Sequence, residues 1–149
     1  MIGETQKEND LFFTCSLIEY IARKTKNTKK KIVEQLGKTN IQKIYDLAEK
    51  YHSENIEKVA DEFIEKADIN DGDYDNISDC KYNGPTYWDI GKVYKRLIIM
   101  VNNNENMYID TLIEVLSSWI IEKIDNYNSS MYYENPDYIY QCYKEGKVL

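Results

Sequence analysis

Apolar residues recur every three or four positions over most of this chain, which is the spacing of α-helices that bury one face. The strongest stretch is residues 108–127, where apolar side chains cover an arc about 180° wide, wider than on an ordinary surface helix. This arc predicts one continuous helix with neighbours on several sides and with Trp119 near the centre of the core. Ile121 falls on the opposite, polar face, which predicts a further contact or a partner.

Residues 9–66 contain shorter helical patterns separated by a few polar residues, and these patterns predict a compact N-terminal unit. Asn9 or Asp10 is the expected cap of the first helix, Ser53 is the expected cap of the fourth, and Gly37 is suited to end the second. The four predicted helices span residues 9–24, 29–36, 41–51 and 54–66.

The second half of the chain begins with a loop. Helical spacing disappears over residues 67–85, where Asp, Asn, Gly and Pro predominate, and this predicts an acidic loop at a sub-unit boundary. The spacing resumes over residues 86–101, and together with residues 108–127 it predicts an antiparallel hairpin joined by polar residues 102–106. Gly91 in the first arm predicts a close helix crossing.

A last helix is predicted near the C-terminus. Asn135 followed by Pro136 is typical of a helix start, and Gly146 is suited to end it. Strand signals are weak, and a short extended segment is expected only at Tyr82 or at residues 131–133. The chain is therefore predicted to be one all-α domain of about seven helices. An N-terminal unit at residues 9–66 packs on the hairpin and terminal helix of residues 86–149.

Composition is typical of a folded, water-soluble chain, because 42% of residues are hydrophobic and 30% are charged. The apolar run at residues 97–101 is far too short to span a bilayer, and residues 1–10 are too polar for a secretory signal, so a cytoplasmic protein with no membrane contact is expected. The three cysteines are widely spaced and there is one histidine, so neither a disulfide framework nor a zinc site is predicted.

The net charge of −7 is unevenly distributed. Residues 1–50 carry 10 basic and 7 acidic side chains, a net charge of +3, whereas residues 51–149 carry 9 and 19, a net charge of −10. An acidic majority argues against broad nucleic-acid binding and fits a basic protein partner better.

One basic run precedes a helix–turn–helix pattern and is a candidate nucleic-acid contact. The segment from Arg23 to Lys31 carries six positive charges in nine residues. A DNA-binding regulator would read bases with the following helix, yet Asp46 and Glu49 on that helix would repel phosphates. A solvated turn and a docking site for an acidic protein remain the alternatives. The candidate nucleic-acid contacts are Lys24, Lys26, Lys29, Lys30, Gln42 and Lys43.

Two groups of residues are candidates for protein binding. The acidic loop lacks the ligand register of a calcium loop around Gly72, so it is interpreted as a hydrated linker or as a site for a basic partner. Tyr and Trp carry binding energy at interfaces. The 14 tyrosines are expected either to line seams of the bundle or to form a surface that binds a partner or a second copy of the chain. The candidates are Asp71, Asp73, Asp75, Tyr82, Tyr87, Trp88, Tyr132, Tyr133 and Tyr138.

No catalytic pattern is apparent in the sequence. The six glycines form neither a phosphate-binding loop nor a dinucleotide fingerprint, so no cofactor is predicted. His52 is the only histidine, and an enzyme of unfamiliar type would have to use it with a carboxylate or a cysteine.

Two segments carry a resemblance to a known group of proteins. LIEYIARKT at residues 17–25 and IYDLAEKYHSENI at residues 44–56 resemble small uncharacterised helical proteins of Clostridia and related bacteria, over about residues 9–69. Some members of that group are encoded beside ADP-ribosyltransferase-like toxins, so the resemblance implies a neutralising partner and not an enzyme. The leading expectation is therefore a non-enzymatic protein-binding module of antitoxin or immunity type.

Overall fold

The computed structural model describes residues 5–103 and 107–149. Within these ranges the chain forms eight α-helices and one 3₁₀ turn and contains no strand, which confirms the predicted all-α bundle. The helices are α1 Gln6–Thr25, α2 Lys29–Asp46, α3 Ala48–His52, α4 Ile56–Lys66, α5 Tyr87–Asn102, α6 Tyr108–Leu116, α7 Ile120–Ile124 and α8 Pro136–Glu145, with the 3₁₀ turn at Met131–Tyr133. None of the helices in these ranges has the length and apolar content needed to cross a membrane.

Helix α1 lies at the centre of the bundle. It packs most extensively on α5 and also contacts α2, α3 and α4. Leu11, Leu17 and Ile21 are fully buried, because neighbours cover α1 on several sides. The helix that organises the core is therefore α1 and not residues 108–127.

The crossing of α1 and α5 is very close, as Gly91 predicts. A Cβ atom added at Gly91 would overlap Ser16 Oγ and would lie only 2.9 Å from Ser16 Cβ. Glycine is required here because α1 approaches the backbone of α5 at this point. The predicted close crossing at Gly91 is confirmed.

The continuous helix predicted for residues 108–127 is wrong. The segment breaks at Ser117, α6 ends before it, and Trp119 in the break is only half-buried. The Ser118 hydroxyl donates to Val115 O at 2.7 Å. Such a local side-chain bond competes with the backbone hydrogen bonds that would continue the helix. The break also redirects Ile121, which is 6% exposed and packs in the core.

Several predicted helix ends also need correction. Helix α1 begins earlier, with Thr5 as its cap, and the cap of α4 is Asn55 and not Ser53. The helix predicted for residues 41–51 breaks at Leu47, between α2 and α3. Residues 131–133 form a 3₁₀ turn instead of an extended segment. Gly37, with φ +75°, breaks the helical conformation after Leu36 as predicted, although helical conformation resumes after it and α2 continues to Asp46.

The ends predicted for the last two long helices agree better with the structure. Thr86 caps α5, Asn135 caps α8, and Gly146 ends α8 in the left-handed conformation. Buried Asn102, in the last turn of α5, accepts a hydrogen bond from Thr111 Oγ1 on α6 at 3.0 Å. Residues 104–106 of the predicted connection lie outside the described residues.

The predicted loop at residues 67–85 contains no helix, but it is not a loose linker. Gly72 N–H donates to Thr25 O at 2.8 Å, and Tyr74 N–H donates to Lys26 O at 2.9 Å. Asn76 Nδ2 donates to Asp125 O at 2.9 Å, which ties the loop to the end of α7. The loop therefore runs from the α1–α2 turn to the C-terminal half of the bundle.

Candidate functional site

The predicted basic run is largely paired with carboxylates of the same chain. Lys24 Nζ lies 2.6 Å from Asp61 Oδ1, and Lys26 Nζ lies 3.9 Å from Asp75 Oδ2. Lys30 and Lys31 are exposed and make no ion pair with any residue that the structure describes. The run is therefore a much weaker positive surface than its sequence indicates.

The other two nucleic-acid candidates lie farther along α2. Gln42 Nε2 donates to Asp46 Oδ1 at 2.9 Å, so its amide is engaged by one of the acids that would repel phosphate. Lys43 lies beside Lys66 of α4, and the resulting interaction lowers the pKa of Lys66. These two positions are not adjacent in sequence to the paired lysines of the α1–α2 turn.

Lys29 is not a surface residue, and its prediction as an exposed nucleic-acid contact is wrong. Its side chain is 3% exposed and forms ion pairs with Glu19 of α1 and Asp125 after α7. Lys29 Nζ lies 2.8 Å from Asp125 Oδ2. We call Glu19, Lys29, Tyr94, Asp125 and Tyr127 the buried charge cluster.

Tyrosine hydroxyls and one arginine complete the hydrogen bonds of the buried charge cluster. Tyr94 OH donates to Asp125 Oδ1 at 2.8 Å, and Tyr127 OH donates to Glu19 Oε2 at 3.2 Å. Arg23 Nε lies 2.5 Å from the same Glu19 oxygen, and Arg23 Nη2 donates to Pro85 O at 2.8 Å. Each carboxylate thus meets a cation and a hydroxyl, as buried charges require.

Burial and pairing act in opposite directions on these groups. Burial alone would lower the pKa of Lys29, but the carboxylates of Asp125 and Glu19 outweigh it and raise the pKa above its usual value. Burial alone would raise the pKa of Glu19, but Lys29 and Arg23 lower it overall. Burial raises the pKa of Asp125 despite Lys29.

The periodicity of α1 contains a signal for this cluster that the sequence interpretation missed. Glu19 lies four residues after Cys15 and three before Ala22, both of which belong to the predicted buried face. A carboxylate on the apolar face of a helix requires a buried partner. The sequence does not indicate which lysine supplies the charge, because Lys29 stands among five other basic residues.

The depressed pKa of Glu19 predicts a loss of stability in acid. The contribution of Glu19 is present above its unfolded-state pKa of about 4.3 and is lost as the pH falls below that value through the depressed folded-state pKa. Glu19→Gln is expected to lower the free energy of unfolding by about 1–2 kcal/mol at pH 7 and by less at acid pH. Urea unfolding at several pH values would measure this, with exposed Glu34→Gln as the control. Equal losses at all pH values would contradict it.

The acidic loop faces the α1–α2 turn. Asp71 and Asp73 are exposed, whereas Asp75 is half-buried and accepts hydrogen bonds from the Ser78 hydroxyl and backbone N–H. These bonds, the hydroxyl bond first, lower the pKa of Asp75. No group of three or more His, Cys, Asp or Glu side chains among residues 5–103 and 107–149 is arranged to hold a metal ion.

The aromatic candidates divide into two groups. Tyr87 and Trp88 lie half-buried at the start of α5, where Tyr87 packs on Tyr20 at 5.0 Å and Trp88 packs on Phe12 at 5.5 Å between ring centroids. Tyr138 is also half-buried, and its hydroxyl donates to Leu149 O at 2.5 Å. These three side chains line seams of the bundle.

The second group lies on the surface. Tyr82 is 73% exposed and Tyr133 is 68% exposed. Half-buried Tyr132 packs between Tyr127 and Tyr133, with ring centroids at 5.4 Å and 4.9 Å. We call Tyr82, Tyr132 and Tyr133 the tyrosine surface.

Two bonded loops support the tyrosine surface. Lys81 N–H donates to Asn128 Oδ1 at 2.8 Å, and Asn128 Nδ2 donates to Asp79 O at 2.9 Å. These bonds hold the loop that carries Tyr82 against the segment that leads to Tyr133. A groove of about 230 Å³ adjoins the surface between α5 and α8 and is lined by Val93, Arg96, Leu97, Tyr132, Tyr133, Glu134, Asn135, Pro136 and Ile139.

His52 lies at a separate cavity between α1, α3 and α5. Asp10, Glu49 and two lysines of α5 also line this cavity, so carboxylates are present near the imidazole. Cys15 is fully buried and does not appear among the described lining residues, and burial raises the pKa of its thiol. The geometry therefore does not assemble a cysteine–histidine nucleophile there.

Comparison of the chain with protein-family models, with curated proteins and with solved structures finds no match. What each surface can do is therefore argued from its residues. Among the described residues, the ionised side chains of the buried charge cluster are paired with one another and are almost fully buried. The tyrosine surface and the His52 cavity are open to other molecules.

Proposed function

We propose that this protein is a non-enzymatic, cytoplasmic protein-binding module of antitoxin or immunity type, and that it binds a basic protein through the tyrosine surface. The observation that carries this proposal is the exposure of Tyr82 and Tyr133, at 73% and 68%, on loops held in place by hydrogen bonds. Tyrosine buries a large area on binding and loses little side-chain entropy, so it is a frequent source of binding energy.

The charge around the tyrosine surface favours a basic partner, because three carboxylates lie around it against two cations, Lys81 and Arg96. Asp79 and Asp89 are exposed, and Glu134 is half-buried beside Tyr133. Asp89 is close enough to Tyr132 to act with burial in raising the pKa of that hydroxyl. Residues 51–149, which include the whole surface, carry a net charge of −10. A positive partner would be attracted at long range and would compensate these carboxylates on docking.

The neutralising role rests on the resemblance of about residues 9–69 to small uncharacterised helical proteins, some of which are encoded beside ADP-ribosyltransferase-like toxins. A neutraliser needs a rigid binding face and no chemistry of its own. The tyrosine surface is such a face, because it lies on bonded loops and next to the packed helices α5 and α8.

The geometry favours protein binding over the alternative of a DNA-binding regulator. Lys29 is buried, and Lys24 and Lys26 already face carboxylates, so few charges of the run are available to phosphates. A DNA-binding regulator would retard promoter DNA at low salt and would release it steeply as salt rises. The same assay on the wild-type chain separates the two functions.

The proposal predicts a loss of binding without a loss of folding when the tyrosine surface is changed. Tyr82→Ser/Tyr133→Ser is expected to weaken partner binding at least about tenfold, because two anchor rings are removed. The free energy of unfolding should stay within about 0.5 kcal/mol, since both side chains are exposed. The partner would be isolated with the tagged chain, and its affinity would be measured by calorimetry.

Leu47→Ser supplies the matched control. Leu47 is 37% exposed and lies in the kink between α2 and α3, so its loss should leave partner affinity unchanged. The isolated partner should be basic, and its affinity for the chain should fall as the salt concentration rises. The wild-type chain should relieve the toxicity of the partner, whereas the double variant should not. An acidic partner, or unchanged binding by the double variant, would overturn the proposal.

A further inference from the structure

Asn83 and Gly84 form the only Asn–Gly pair in the sequence, and they directly follow Tyr82 of the tyrosine surface. Both residues are exposed, and residues 83–86 belong to no helix or turn. The peptide nitrogen that follows an asparagine can attack the side-chain amide and close a small ring. Glycine opposes this closure least, because it has no side chain and the widest choice of backbone angles. The pair is therefore the asparagine position with the greatest intrinsic reactivity in the sequence.

The fold leaves both reacting groups of this pair free. Among the residues that the structure describes, Gly84 N–H donates no hydrogen bond and the side-chain amide of Asn83 makes none. The chain is held on either side instead. Lys81 N–H donates to Asn128 Oδ1 at 2.8 Å before the pair, and Pro85 O accepts from an arginine of α1 at 2.8 Å after it. The pair is thus an exposed segment between two anchors.

Asp71–Gly72 is a related pair in a protected setting. An aspartate followed by glycine can close the same ring by losing water. Gly72 N–H, however, donates to Thr25 O at 2.8 Å, so the nitrogen that would attack Asp71 is already bonded. A Cβ atom at Gly72 would lie 2.6 Å from Lys26 O, so this backbone is packed against the α1–α2 turn. The two pairs share their local chemistry and differ in whether the attacking nitrogen is free.

We propose that Asn83–Gly84 is a self-modification site, at which the asparagine deamidates without an enzyme. The Gly84 nitrogen attacks Cγ of Asn83, gives up its proton and expels the side-chain nitrogen as ammonia, which leaves a succinimide ring. Water then opens the ring at either carbonyl carbon and gives aspartate or isoaspartate at position 83. The overall reaction consumes one water, releases one ammonia and needs no oxidant or reductant.

The product changes the charge of the tyrosine surface. A neutral amide is replaced by a carboxylate next to Tyr82, which is 73% exposed, so this surface gains one negative charge at neutral pH. Isoaspartate also lengthens the main chain by one carbon at position 83. The anchors at Lys81 and Pro85 keep the new carboxylate beside the tyrosine surface.

Incubation of the folded chain at neutral pH, followed by peptide mapping with mass spectrometry, measures this reaction. Asn83 is expected to deamidate at least about tenfold faster than any other asparagine of the chain. Repeating the incubation in guanidinium chloride should change the rate at Asn83 by less than about fivefold, because its groups are already free in the folded state. It should accelerate isoaspartate formation at Asp71 at least about tenfold, because unfolding frees the Gly72 nitrogen.

Gly84→Ala tests the ring closure. A Cβ atom at Gly84 meets only ordinary contacts, the nearest with Cys80 Sγ at 3.5 Å, so the variant should fold. Its methyl group restricts the backbone and should slow deamidation of Asn83 at least about tenfold.

Ser129→Gly supplies the matched control, because it creates a second Asn–Gly pair at Asn128 whose groups are bonded. The nitrogen of residue 129 donates to Asn126 O at 3.0 Å, and Asn128 Nδ2 donates to Asp79 O at 2.9 Å. In this variant Asn128 should react at least about tenfold more slowly than Asn83.

Three results would each overturn the inference. They are deamidation of Asn83 only in guanidinium chloride, a wild-type rate in Gly84→Ala, and equal rates at the two Asn–Gly pairs of Ser129→Gly. The partner plays no part in these measurements, so their failure leaves the proposed function untouched.

Discussion

Lys29→Met is expected to lower the free energy of unfolding by about 3–5 kcal/mol at neutral pH, because it removes the cation that two buried carboxylates share. Glu19 and Asp125 are each 1% exposed, and Lys29 contacts both of them. Arg23 would still face Glu19, whereas the carboxylate of Asp125 would keep, among the residues that the structure describes, only the hydroxyl of Tyr94. Breaking one partner of a buried ion pair costs more than the pair contributes, since the remaining charge stays desolvated.

The pH dependence of this variant has a definite sign. Without Lys29, the pKa of buried Asp125 should rise further above its unfolded-state value of about 3.9. A carboxyl group with a raised folded-state pKa favours the folded state at low pH and loses that contribution as pH rises through its folded-state pKa. The difference between Lys29→Met and the wild type should therefore shrink as the pH falls from about 7 to about 4.

Chemical denaturation of both proteins at pH 4, 5.5 and 7 would measure this difference. Lys30→Met is the control, because Lys30 is the next residue on the same helix and is exposed. It should change the free energy of unfolding by no more than about 0.5 kcal/mol at any of these pH values. A Lys29→Met variant as stable as Lys30→Met at pH 7 would contradict the role of the buried charge cluster.

Gly91→Ala is expected to be the second most damaging substitution, with a loss of about 2–4 kcal/mol. Overpacking a core typically costs about 1–3 kcal/mol. Here the new Cβ meets a backbone atom of α1 as well as side-chain atoms. It would lie 2.9 Å from Ser16 Cβ and 3.0 Å from Ser16 Cα. The gain of about 1 kcal/mol in helix propensity from Gly to Ala only partly offsets this clash.

Two comparisons isolate the clash at Gly91. Gly84→Ala adds the same methyl group where the nearest atom is Cys80 Sγ at 3.5 Å, an ordinary contact, so its effect should be small. Ser16→Ala removes a buried hydroxyl that has no hydrogen-bond partner among the described residues. The double variant Gly91→Ala/Ser16→Ala should therefore be more stable than Gly91→Ala alone. Thermal unfolding of the four variants would show this order, and equal midpoints for Gly84→Ala and Gly91→Ala would contradict it.

Local sequence signals were reliable where a single residue type has one strong conformational preference. Thr86, Asn135 and Gly146 mark helix ends that the structure contains, because caps are satisfied by atoms only a few residues away. The break at Ser117 was not predicted, since the apolar arc continues through it and periodicity alone does not register a competing serine hydrogen bond.

The candidate surfaces were predictable only in part, for a related reason. Residue type identified Tyr82, Tyr132 and Tyr133 as possible anchors, but it identified Tyr87, Trp88 and Tyr138 equally well. Whether a tyrosine lies in a seam or on a surface depends on which helices cover it, and that information is spread over the whole chain. The same limit applies to His52, whose aromatic neighbours come from α1 and α5.

The sequence by itself determined the all-α class, the place of the acidic loop and the close crossing at Gly91, because periodicity, turn residues and a lone glycine act locally. Only the tertiary structure decided that α1 is the central helix and that Lys29 is a buried ion-pair partner. The lysines of this basic run cannot be distinguished in the sequence, but Lys29 lies where carboxylates from α1 and from the end of α7 meet. Burial and pairing of charge are set by contacts between distant segments, so they emerge only when the chain is folded.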